Sequence, residues 1–273
     1  MVKQFVKKAV YQVYPLIKSP PDFLIIGVQR AGTTSLYEYL TQHSQVVVTR
    51  NWKETYYFDV PENYSQGFKW YLGNFPSKFK KGNKLTFEAS PSYIYHQNIP
   101  QRIKHDLGDI KMIALLRNPV DRAYSAWQMY HSYSYNPHQH LRNRADERSF
   151  FEAIQQELNP ELNQAKYPYN YLNRGKYVEQ LENYYTYFNR EKILLLSFDD
   201  FCQNLESVLN QVCNFLEIDS FSLPQIEKFR QEKHAAAPYK TNPQDNEVMA
   251  KLQDYFLPFN ERLYNLVNRD YGW

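Results

Sequence analysis

The sequence lacks a long apolar run, and this absence bounds the kind of protein it encodes. No stretch approaches the ~20 consecutive apolar residues that a membrane-spanning helix needs. The N-terminal segment 1–21 carries lysines at positions 3, 7 and 8 but no continuous apolar core like that of a signal peptide. We therefore expect a soluble, cytoplasmic protein. Segment 1–21 is predicted to be an extension that docks as a helix on its own domain or, alternatively, makes weak contact with a membrane surface.

Only two cysteines are present, and neither is expected to form a disulfide. Cys202 and Cys213 fall in what the residue pattern predicts to be one helix. Their separation of eleven residues corresponds to about 16 Å along a helix axis, which is too far for a disulfide bond. Free thiols in a reducing compartment are therefore predicted.

An excess of charge of one sign is also missing. The 273 residues carry a net charge of +3, which argues against a nucleic-acid-binding protein with a broad basic face. A small basic cluster for an anionic ligand is compatible with this balance. The length and the composition, 43% hydrophobic and 22% charged, fit a single globular domain over 1–273, and no internal repeat divides it.

Short apolar runs alternate with segments of helical spacing, which predicts an α/β fold with a central parallel sheet flanked by helices. The predicted strands are Phe23–Gly27, Gln45–Thr49, Ile110–Leu116 and 192–198, and Lys84–Tyr93 is predicted to be a strand that runs into a Ser-Pro turn. The predicted helices are 33–43, 99–107, 120–131, 150–158, 175–188 and 205–218, with further helical material in 247–267. The polar segment 132–148 is expected to be a mobile loop.

A strand, a glycine-containing loop and a helix follow one another in the segment 23–40, which reads FLIIGVQRAGTTSLYEYL. Backbone N–H groups after Gly27 and the positive end of the helix dipole suit an oxyanion. Arg30 adds a full positive charge inside the loop. Hydroxyl donors are supplied by Thr33, Thr34 and Ser35. The alternative is a helix start that a threonine caps for stability alone.

The loop departs from the triphosphate-binding pattern G-x-x-x-x-G-K-[ST], which has a lysine where Thr33 stands. The candidates for the Mg²⁺-binding aspartate of such enzymes are Asp199 and Asp200, which equally suit a cap of the following helix. A sulfuryl group carries one negative charge fewer than a terminal phosphoryl group. Backbone amides, hydroxyls and one cation are therefore sufficient to stabilise its transfer without a metal. The loop favours sulfuryl transfer over ATP hydrolysis.

A second candidate anion site follows the strong strand 110–116, in the run LLRNPVDRAYS. Arg117 ends this strand, and Ser125 falls on the second turn of the next helix. Because ligands of open α/β sheets bind outside the carboxyl ends of the strands, these two side chains are candidates for holding a phosphate. The alternative is that Arg117 pairs with Asp121 and Ser125 packs within the helix.

Together, the two motifs resemble the signatures of sulfotransferases that use 3′-phosphoadenosine-5′-phosphosulfate (PAPS). The nearest resemblance is to the heparan-sulfate N- and 3-O-sulfotransferase type of domain, in a soluble, bacterial form, and it extends from about Phe23 to the C-terminus. The resemblance implies the P-loop-NTPase-like sulfotransferase fold, PAPS as co-substrate and no required metal. It assigns the 3′-phosphate to Arg117 and Ser125. It assigns the 5′-phosphosulfate to Arg30, Ala31, Gly32, Thr33, Thr34 and Ser35.

The resemblance also places Glu54, in the run NWKETYYFD, on the family's catalytic glutamate. A carboxylate there is a candidate general base for the acceptor. The alternative is a surface carboxylate that pairs with Lys53 or Arg50.

Two positions depart from the family pattern. The family often has a lysine after the strand-end glutamate, and this chain has Ala89 there, which leaves Arg30 as the expected cation at the transferring group. The histidine that N-sulfotransferases have soon after the motif serine falls on Met129 here, and His131, two residues further on, is a weak candidate for a catalytic helper. The basic residues that stand where the family closes over the nucleotide are Arg230, Lys233 and Lys240.

These features predict an enzyme that moves a sulfuryl group from PAPS to a hydroxyl or amine of a glycan or small molecule, with Glu54 as general base. One open alternative is a P-loop NTPase or small-molecule kinase that uses Mg·ATP. Another is a non-catalytic nucleotide- or glycan-binding module. Aromatic residues at 52–57, 70–71 and 127–135 would suit stacking on sugar rings, and equally on an aromatic lipid or phenol.

Overall fold

A computed structural model of the chain describes residues 13–48, 53–159, 169–232 and 243–273. The chain divides into two compact units. One consists of Met1–Leu116 and Glu182–His234, and the other of Arg117–Leu181 and Ala235–Trp273. A single domain over 1–273, with 1–21 as an extension, stays a prediction. Residues 1–12 of that extension lie outside the described ranges.

The first unit contains a four-stranded parallel sheet with the strand order β2-β1-β3-β4. The strands are β1 Phe23–Gly27, β2 Phe87–Ala89, β3 Lys111–Leu116 and β4 Ile193–Ser197. Every residue of β1 and all of β3 after Lys111 are buried. Burial of the whole strand explains why these two sequences are continuous apolar runs without alternation.

The strand order creates a switch point between β1 and β3. After β1 the chain forms β2 on one side, and it then returns past β1 to form β3 on the other. Ligands of open parallel sheets bind beside such a point, outside the carboxyl ends of the strands. The segment 28–32 leaves β1 at this end of the sheet, and β3 ends there at Leu116.

Helices separate the strands, as the alternating pattern predicts. The longer ones are α1 Thr33–Thr41, α2 Ile99–Leu107, α3 Pro119–Ser132, α4 Phe150–Leu158, α5 Tyr177–Tyr185, α6 Phe198–Gln203, α7 Leu205–Leu216, α8 Leu223–Glu232 and α9 Pro243–Val267. Short helices occupy Pro61–Tyr64, Phe68–Leu72, Lys78–Lys81 and Gln139–Arg142. Side-chain caps fix several starts: Asn118 accepts from two N–H groups of α3, and Ser149 and Glu152 form a capping box on α4.

The core of the second unit is formed by buried side chains of α3, α4 and α9. Tyr124 of α3 stacks edge-on against Phe150 and donates a hydrogen bond to Asp245 at 3.0 Å. The guanidinium of Arg122 is fully buried, and it donates to the carbonyl oxygen of Tyr171. These two hydrogen bonds join polar groups of the core to specific partners, which restricts how the helices can pack.

Four sequence-based expectations for the elements were wrong. The segment 45–48 forms an isolated bridge between Val46 and Leu85, not a strand, and Thr49 lies outside the described residues. In the segment 84–93, the strand predicted to lead into a Ser-Pro turn begins only at Phe87, as β2, and turn residues follow from 91. Cys202 and Cys213 lie in separate helices, because the chain leaves helical geometry at Asn204 between α6 and α7. The segment 132–148 contains helical turns at 133–135 and 139–142 in place of a continuous loop.

Glu157 is expected to make the stability of the second unit pH-dependent. Its carboxylate accepts the N–H groups of Tyr171 and Leu172, both at 2.7 Å, and its burial raises its pKa from 4.5 to about 7. Because the pKa of Glu157 is higher in the folded state than in the unfolded state, Glu157 contributes its full stabilisation at a pH below its unfolded-state pKa. This stabilisation is lost as the pH rises through its folded-state pKa. We therefore expect wild-type stability to fall between about pH 4.5 and pH 7.

Glu157→Gln tests this expectation, because glutamine does not titrate. Between pH 4.5 and pH 7.5 the stability of the wild type should fall by up to about 3 kcal/mol relative to the variant, measured by thermal or urea unfolding. Glu179→Gln, at an exposed position of α5, is the matched control. Parallel pH profiles for the wild type and Glu157→Gln would contradict the assignment.

Candidate active site

The loop between β1 and α1 is held in place by close packing at two glycines. A Cβ atom at Gly27 would lie 2.5 Å from Cγ2 of Ile94, so a larger residue forces that side chain to move. Gly32 has a φ of 82°, in the left-handed region that favours glycine. A Cβ there would also lie 3.2 Å from the ring of Phe198. Both glycines predicted to form the loop therefore have a steric reason to be there.

The start of α1 carries hydrogen-bond donors and, within the described residues, no side-chain cap. Its N-cap residue is Gly32, so the alternative of a threonine that caps this helix for stability alone is wrong. The first N–H groups of an α-helix have no acceptor inside the helix. Thr33 is buried, whereas Thr34 is exposed and Ser35 is partly exposed. These donors and the helix dipole together suit an anion.

Arg30 lies in this loop with a φ of 73°, which is uncommon for a residue with a side chain. A backbone held in this region costs about 1–3 kcal/mol, and such residues cluster at ligand-binding loops. Its side chain is exposed, and Ala31 beside it is fully buried. The arginine predicted to face the anion therefore belongs to the loop, and its role stays a prediction.

Glu54 and Lys53 lie beside the start of α1. The Lys53 Nζ atom donates to Oγ1 of Thr34 at 2.8 Å and to Oε1 of Glu54 at 3.1 Å. The Tyr56 hydroxyl donates to the other carboxylate oxygen of Glu54. The side chains of Lys53 and Glu54 are 22% and 26% exposed. The alternative pairing of Glu54 with Lys53 is thus observed, and it lies beside Thr34 in the candidate anion-binding loop.

A buried carboxylate fixes the segment that carries Glu54. Glu88 of β2 accepts from the N–H and the hydroxyl of Thr55, at 3.1 and 2.6 Å, through one oxygen. Its other oxygen accepts from the hydroxyls of Tyr71 and Tyr93, at 2.7 and 3.1 Å. Burial raises the pKa of Glu88, while these hydrogen bonds act in the opposite direction. Because Thr55 follows Glu54 directly, this network fixes the backbone beside the candidate base.

The remaining predicted site residues lie in the second unit. Arg117 is its first residue, and its carbonyl oxygen accepts from the hydroxyl of Tyr177 at 2.8 Å. Ser125 lies on the second turn of α3, as predicted, and is buried. The Nδ1 atom of His131 lies 2.9 Å from the carbonyl oxygen of Asp146. The phosphate-binding role of Arg117 and Ser125 and the helper role of His131 stay predictions.

Asp199 and Asp200 lie in the first turn of α6, where the N-cap is Ser197. The N–H of Asp200 donates to the Ser197 hydroxyl at 3.3 Å, so the serine, and neither aspartate, caps this helix. Among the described residues, no group of three or more His, Cys, Asp or Glu is placed to hold a metal ion. Lys233 and Lys240, and the side chain of Arg230, lie outside what the structure describes.

The aromatic residues near Glu54 are largely core residues. Tyr57 and Tyr71 are 1% and 0% exposed and stack on each other with ring centroids 4.5 Å apart. The expectation that they stack on an acceptor is therefore wrong, since they contribute to the packing behind the Glu88 network. Tyr56 is 42% exposed, and Trp52 lies outside the described residues.

Two residues of this site were missed by the sequence interpretation. Lys53 was considered only as a partner of Glu54, because its contact with Thr34 spans nineteen positions and leaves no local pattern. Glu88 had a detectable signal: it is a carboxylate inside the apolar run LTFEAS. An acidic residue at a buried strand position needs hydrogen-bond donors around it.

Comparisons with known proteins agree with the motifs. The family model of the sulfotransferase domain matches residues 20–253. Heparan sulfate glucosamine 3-O-sulfotransferase 5 of Mus musculus is 25% identical over 280 residues, which cover 96% of this chain and 76% of that protein. The membrane-associated sulfotransferase kil1 of Dictyostelium discoideum is 26% identical over 323 residues, which cover 93% of this chain and 66% of that protein.

Solved structures confirm the fold. A sulfotransferase from Alicyclobacillus acidocaldarius matches with a TM-score of 0.70 and 24% identity, over 92% of this chain and 97% of that one. Sulfotransferase STF9 of Mycobacterium avium matches with a TM-score of 0.53 and 12% identity, over 95% of this chain and 80% of that one. The predicted P-loop-like sulfotransferase fold is therefore correct. Within the described ranges, every helix is too short or too polar to cross a membrane.

Thr55→Val tests the buried network, because it removes one donor to Glu88 and keeps the side-chain shape. We expect the free energy of unfolding to fall by about 1–3 kcal/mol, the cost of leaving a buried carboxylate oxygen short of a partner. Thr41→Val is the matched control, since the hydroxyl of Thr41 donates to the carbonyl oxygen of Glu38 at the surface end of α1. Urea unfolding of both variants measures the difference. If Thr55→Val and Thr41→Val lower the free energy of unfolding by the same small amount, the Thr55 hydroxyl has no structural role in this network.

Proposed function

The chain belongs to the sulfotransferase domain family, and from this premise we propose that it transfers a sulfuryl group from PAPS to a hydroxyl or amine. The observation that carries the proposal is the contact of Lys53 with both Thr34 and Glu54. It joins the anion-binding loop to the candidate base. A reaction that moves an anionic group from a phosphate to a deprotonated acceptor needs these two parts side by side.

Residues of the loop fit the phosphosulfate end of PAPS. The uncapped start of α1 presents N–H groups, and Thr34 presents an exposed hydroxyl. Gly32 holds the backbone in the left-handed region at the N-cap of α1. When bound, PAPS supplies a sulfuryl group attached to a phosphate that leaves readily. Arg117 and Ser125 are proposed to hold its 3′-phosphate. This assignment rests on the sequence motif alone.

Glu54 is proposed as the general base. Its carboxylate is partly exposed, so an acceptor hydroxyl or amine can approach it, and the Tyr56 hydroxyl and Lys53 orient it. Removing the acceptor proton as the new bond forms avoids a positively charged oxygen or nitrogen in the transition state. Glu88 does not compete for this role, because both of its oxygens accept hydrogen bonds within the core.

The acceptor is proposed to be a glycan. Support comes from the relative named as a heparan sulfate glucosamine 3-O-sulfotransferase, which aligns over 96% of this chain. A small-molecule hydroxyl or amine is the alternative within the same chemistry. The cytoplasmic location is also a proposal, supported by two free cysteines, one exposed and one buried.

Calorimetry with 3′-phosphoadenosine 5′-phosphate (PAP) and with Mg·ATP tests the function. We expect PAP to bind without added Mg²⁺ and more tightly than Mg·ATP, because the loop lacks the triphosphate-binding lysine. Tight binding of Mg·ATP alone would favour an NTPase or kinase and overturn the proposal. Transfer of radiolabelled sulfate from PAPS to heparan sulfate oligosaccharides then tests the acceptor class.

The same assay distinguishes an enzyme from a binding module. Glu54→Gln should retain the affinity for PAP within about threefold and lower the transfer rate by about 10²–10⁴-fold, the range for loss of a general base. Glu62→Gln, at an exposed surface carboxylate, is the control. A transfer rate that is unchanged in Glu54→Gln would remove Glu54 from catalysis.

Arg117→Ala tests the second motif. Loss of a charge-assisted hydrogen bond of about 1.5–3 kcal/mol should weaken PAP binding by about 10–150-fold. Binding of adenosine 5′-phosphosulfate, which lacks the 3′-phosphate, should change by less than threefold. Arg144→Ala, at an exposed arginine of the same unit, serves as control. Equal losses for both nucleotides would show that Arg117 does not bind the 3′-phosphate.

A further inference from the structure

We propose that Lys53 is a catalytic residue that supplies positive charge at the transferring sulfuryl group. This role rests on the proposed function and goes beyond it, because the sequence motifs assign the charge there to Arg30. The side chain of Arg30 is exposed in the loop, whereas that of Lys53 is only 22% exposed. A charge that is partly removed from water interacts more strongly with a neighbouring anion.

The backbone of Lys53 is anchored at the end of β2. Its carbonyl oxygen accepts a hydrogen bond from the N–H of Ala89 at 2.9 Å. Ala89 is fully buried and carries no charge, so the cation beside this strand end comes from the neighbouring segment. The Glu88–Thr55 hydrogen bonds hold the same segment two residues further along. Hydrogen bonds on both sides of Glu54 therefore hold this segment: one joins the backbones of Lys53 and Ala89, and the others join Thr55 to the Glu88 carboxylate.

The ammonium group lies where the transferred group has to pass. An ammonium has three N–H donors, and two of them are directed at Thr34 Oγ1 and Glu54 Oε1. Thr34 belongs to the start of α1, which holds the donor phosphate in the proposed reaction, and Glu54 receives the acceptor proton. A sulfuryl group in line between phosphate and acceptor lies between these two residues. The third N–H donor of Lys53 is proposed to bind a sulfuryl oxygen.

Proton transfer to Glu54 changes the charge of this pair at the moment it is needed. As the acceptor oxygen or nitrogen bonds to sulfur, its proton passes to Glu54, and the electron pair of the breaking S–O bond stays on the donor phosphate. Before the step, Lys53 and Glu54 are a neutral ion pair; afterwards they carry one net positive charge. The charge appears while negative charge builds on the donor side, so the pair stabilises the transition state more than the bound ground state.

A second lysine provides a matched comparison. Lys81 donates to Asp22 at 2.9 Å, and these side chains are 17% and 29% exposed, close to the values for Lys53 and Glu54. The described contacts of Lys81 do not include the loop or the start of α1. Removing either lysine therefore breaks a similar ion pair in the same unit, but only Lys53 lies beside the proposed sulfuryl site.

The binding test uses calorimetry of Lys53→Met and Lys81→Met with PAPS and with PAP. PAP lacks the sulfuryl group, so Lys53→Met should weaken PAPS about tenfold and PAP by less than threefold. Lys81→Met should change neither. Equal losses for PAPS and PAP, together with a lower melting temperature, would show that Lys53 only supports the loop and would overturn the proposal.

The kinetic test measures PAP release from PAPS, with heparan sulfate oligosaccharides or water as the acceptor. Lys53→Met should lower the rate by about 10²-fold, the magnitude for removal of one stabilising donor at developing charge. Lys53→Arg keeps a cation and should recover part of this loss. If the rate of Lys53→Met stays within threefold of the wild-type rate, the catalytic role of Lys53 is overturned, while the proposed function is not affected. Failure of the wild type to bind either nucleotide would instead overturn the proposed function, and with it this inference.

Discussion

The carboxylate of Glu88 is the constraint on which the geometry of the candidate site depends. It lies fully buried at the end of a short strand, where an ionised group without partners would be strongly unfavourable. Donors from Thr55, Tyr71 and Tyr93 therefore have to surround it. The segment that contains Thr55 has no strand or helix of its own at this point, so these hydrogen bonds determine where its backbone lies. Glu54 and Lys53 take their positions from them.

This arrangement separates two carboxylates by environment. Glu88 accepts every hydrogen bond from within the core, and burial raises its pKa, so its role is structural. Glu54 lies one residue before the Thr55 anchor, is partly exposed, and contacts a cation and a tyrosine hydroxyl. The two carboxylates thus differ in environment: donors within the core surround Glu88, whereas Glu54, the proposed base, is partly exposed. Tyr71 and Tyr93 are buried and donate to Glu88 from within this core.

The sequence was sufficient to predict the parts of the fold that are encoded locally. The predicted strands Phe23–Gly27 and Ile110–Leu116 correspond to β1 and β3, and the predicted helix 120–131 corresponds to α3. The run at 45–49 has the same apolar character, but the described part of it forms only one bridge, because strand formation depends on partners that are remote in sequence. Cys202 was assigned to the helix of Cys213 because the short helix α6, which ends at Gln203, was not predicted.

The part of the candidate site that lies in one sequence motif, the loop after β1, could be predicted from the sequence. The glycines, Arg30 and the hydroxyls are contiguous, and the structure places them together at the start of α1. Lys53 and Glu88 reach their partners across nineteen and thirty-three positions, so their contribution is visible only after folding. Composition gives no warning of such contacts, because an isolated lysine or glutamate is usually an exposed surface residue.

The nature of the transferred group explains why a loop without the triphosphate-binding lysine is adequate. A phosphoryl group at the end of a triphosphate carries more negative charge than a sulfuryl group, and enzymes that transfer it combine a lysine with Mg²⁺. A loop that presents N–H groups, an exposed hydroxyl and Arg30, with the ammonium of Lys53 beside it, supplies less positive charge than a lysine with Mg²⁺, which matches the smaller requirement. In the proposed reaction, the contact between Lys53 and Glu54 couples the charge of this ammonium to the protonation of the proposed base.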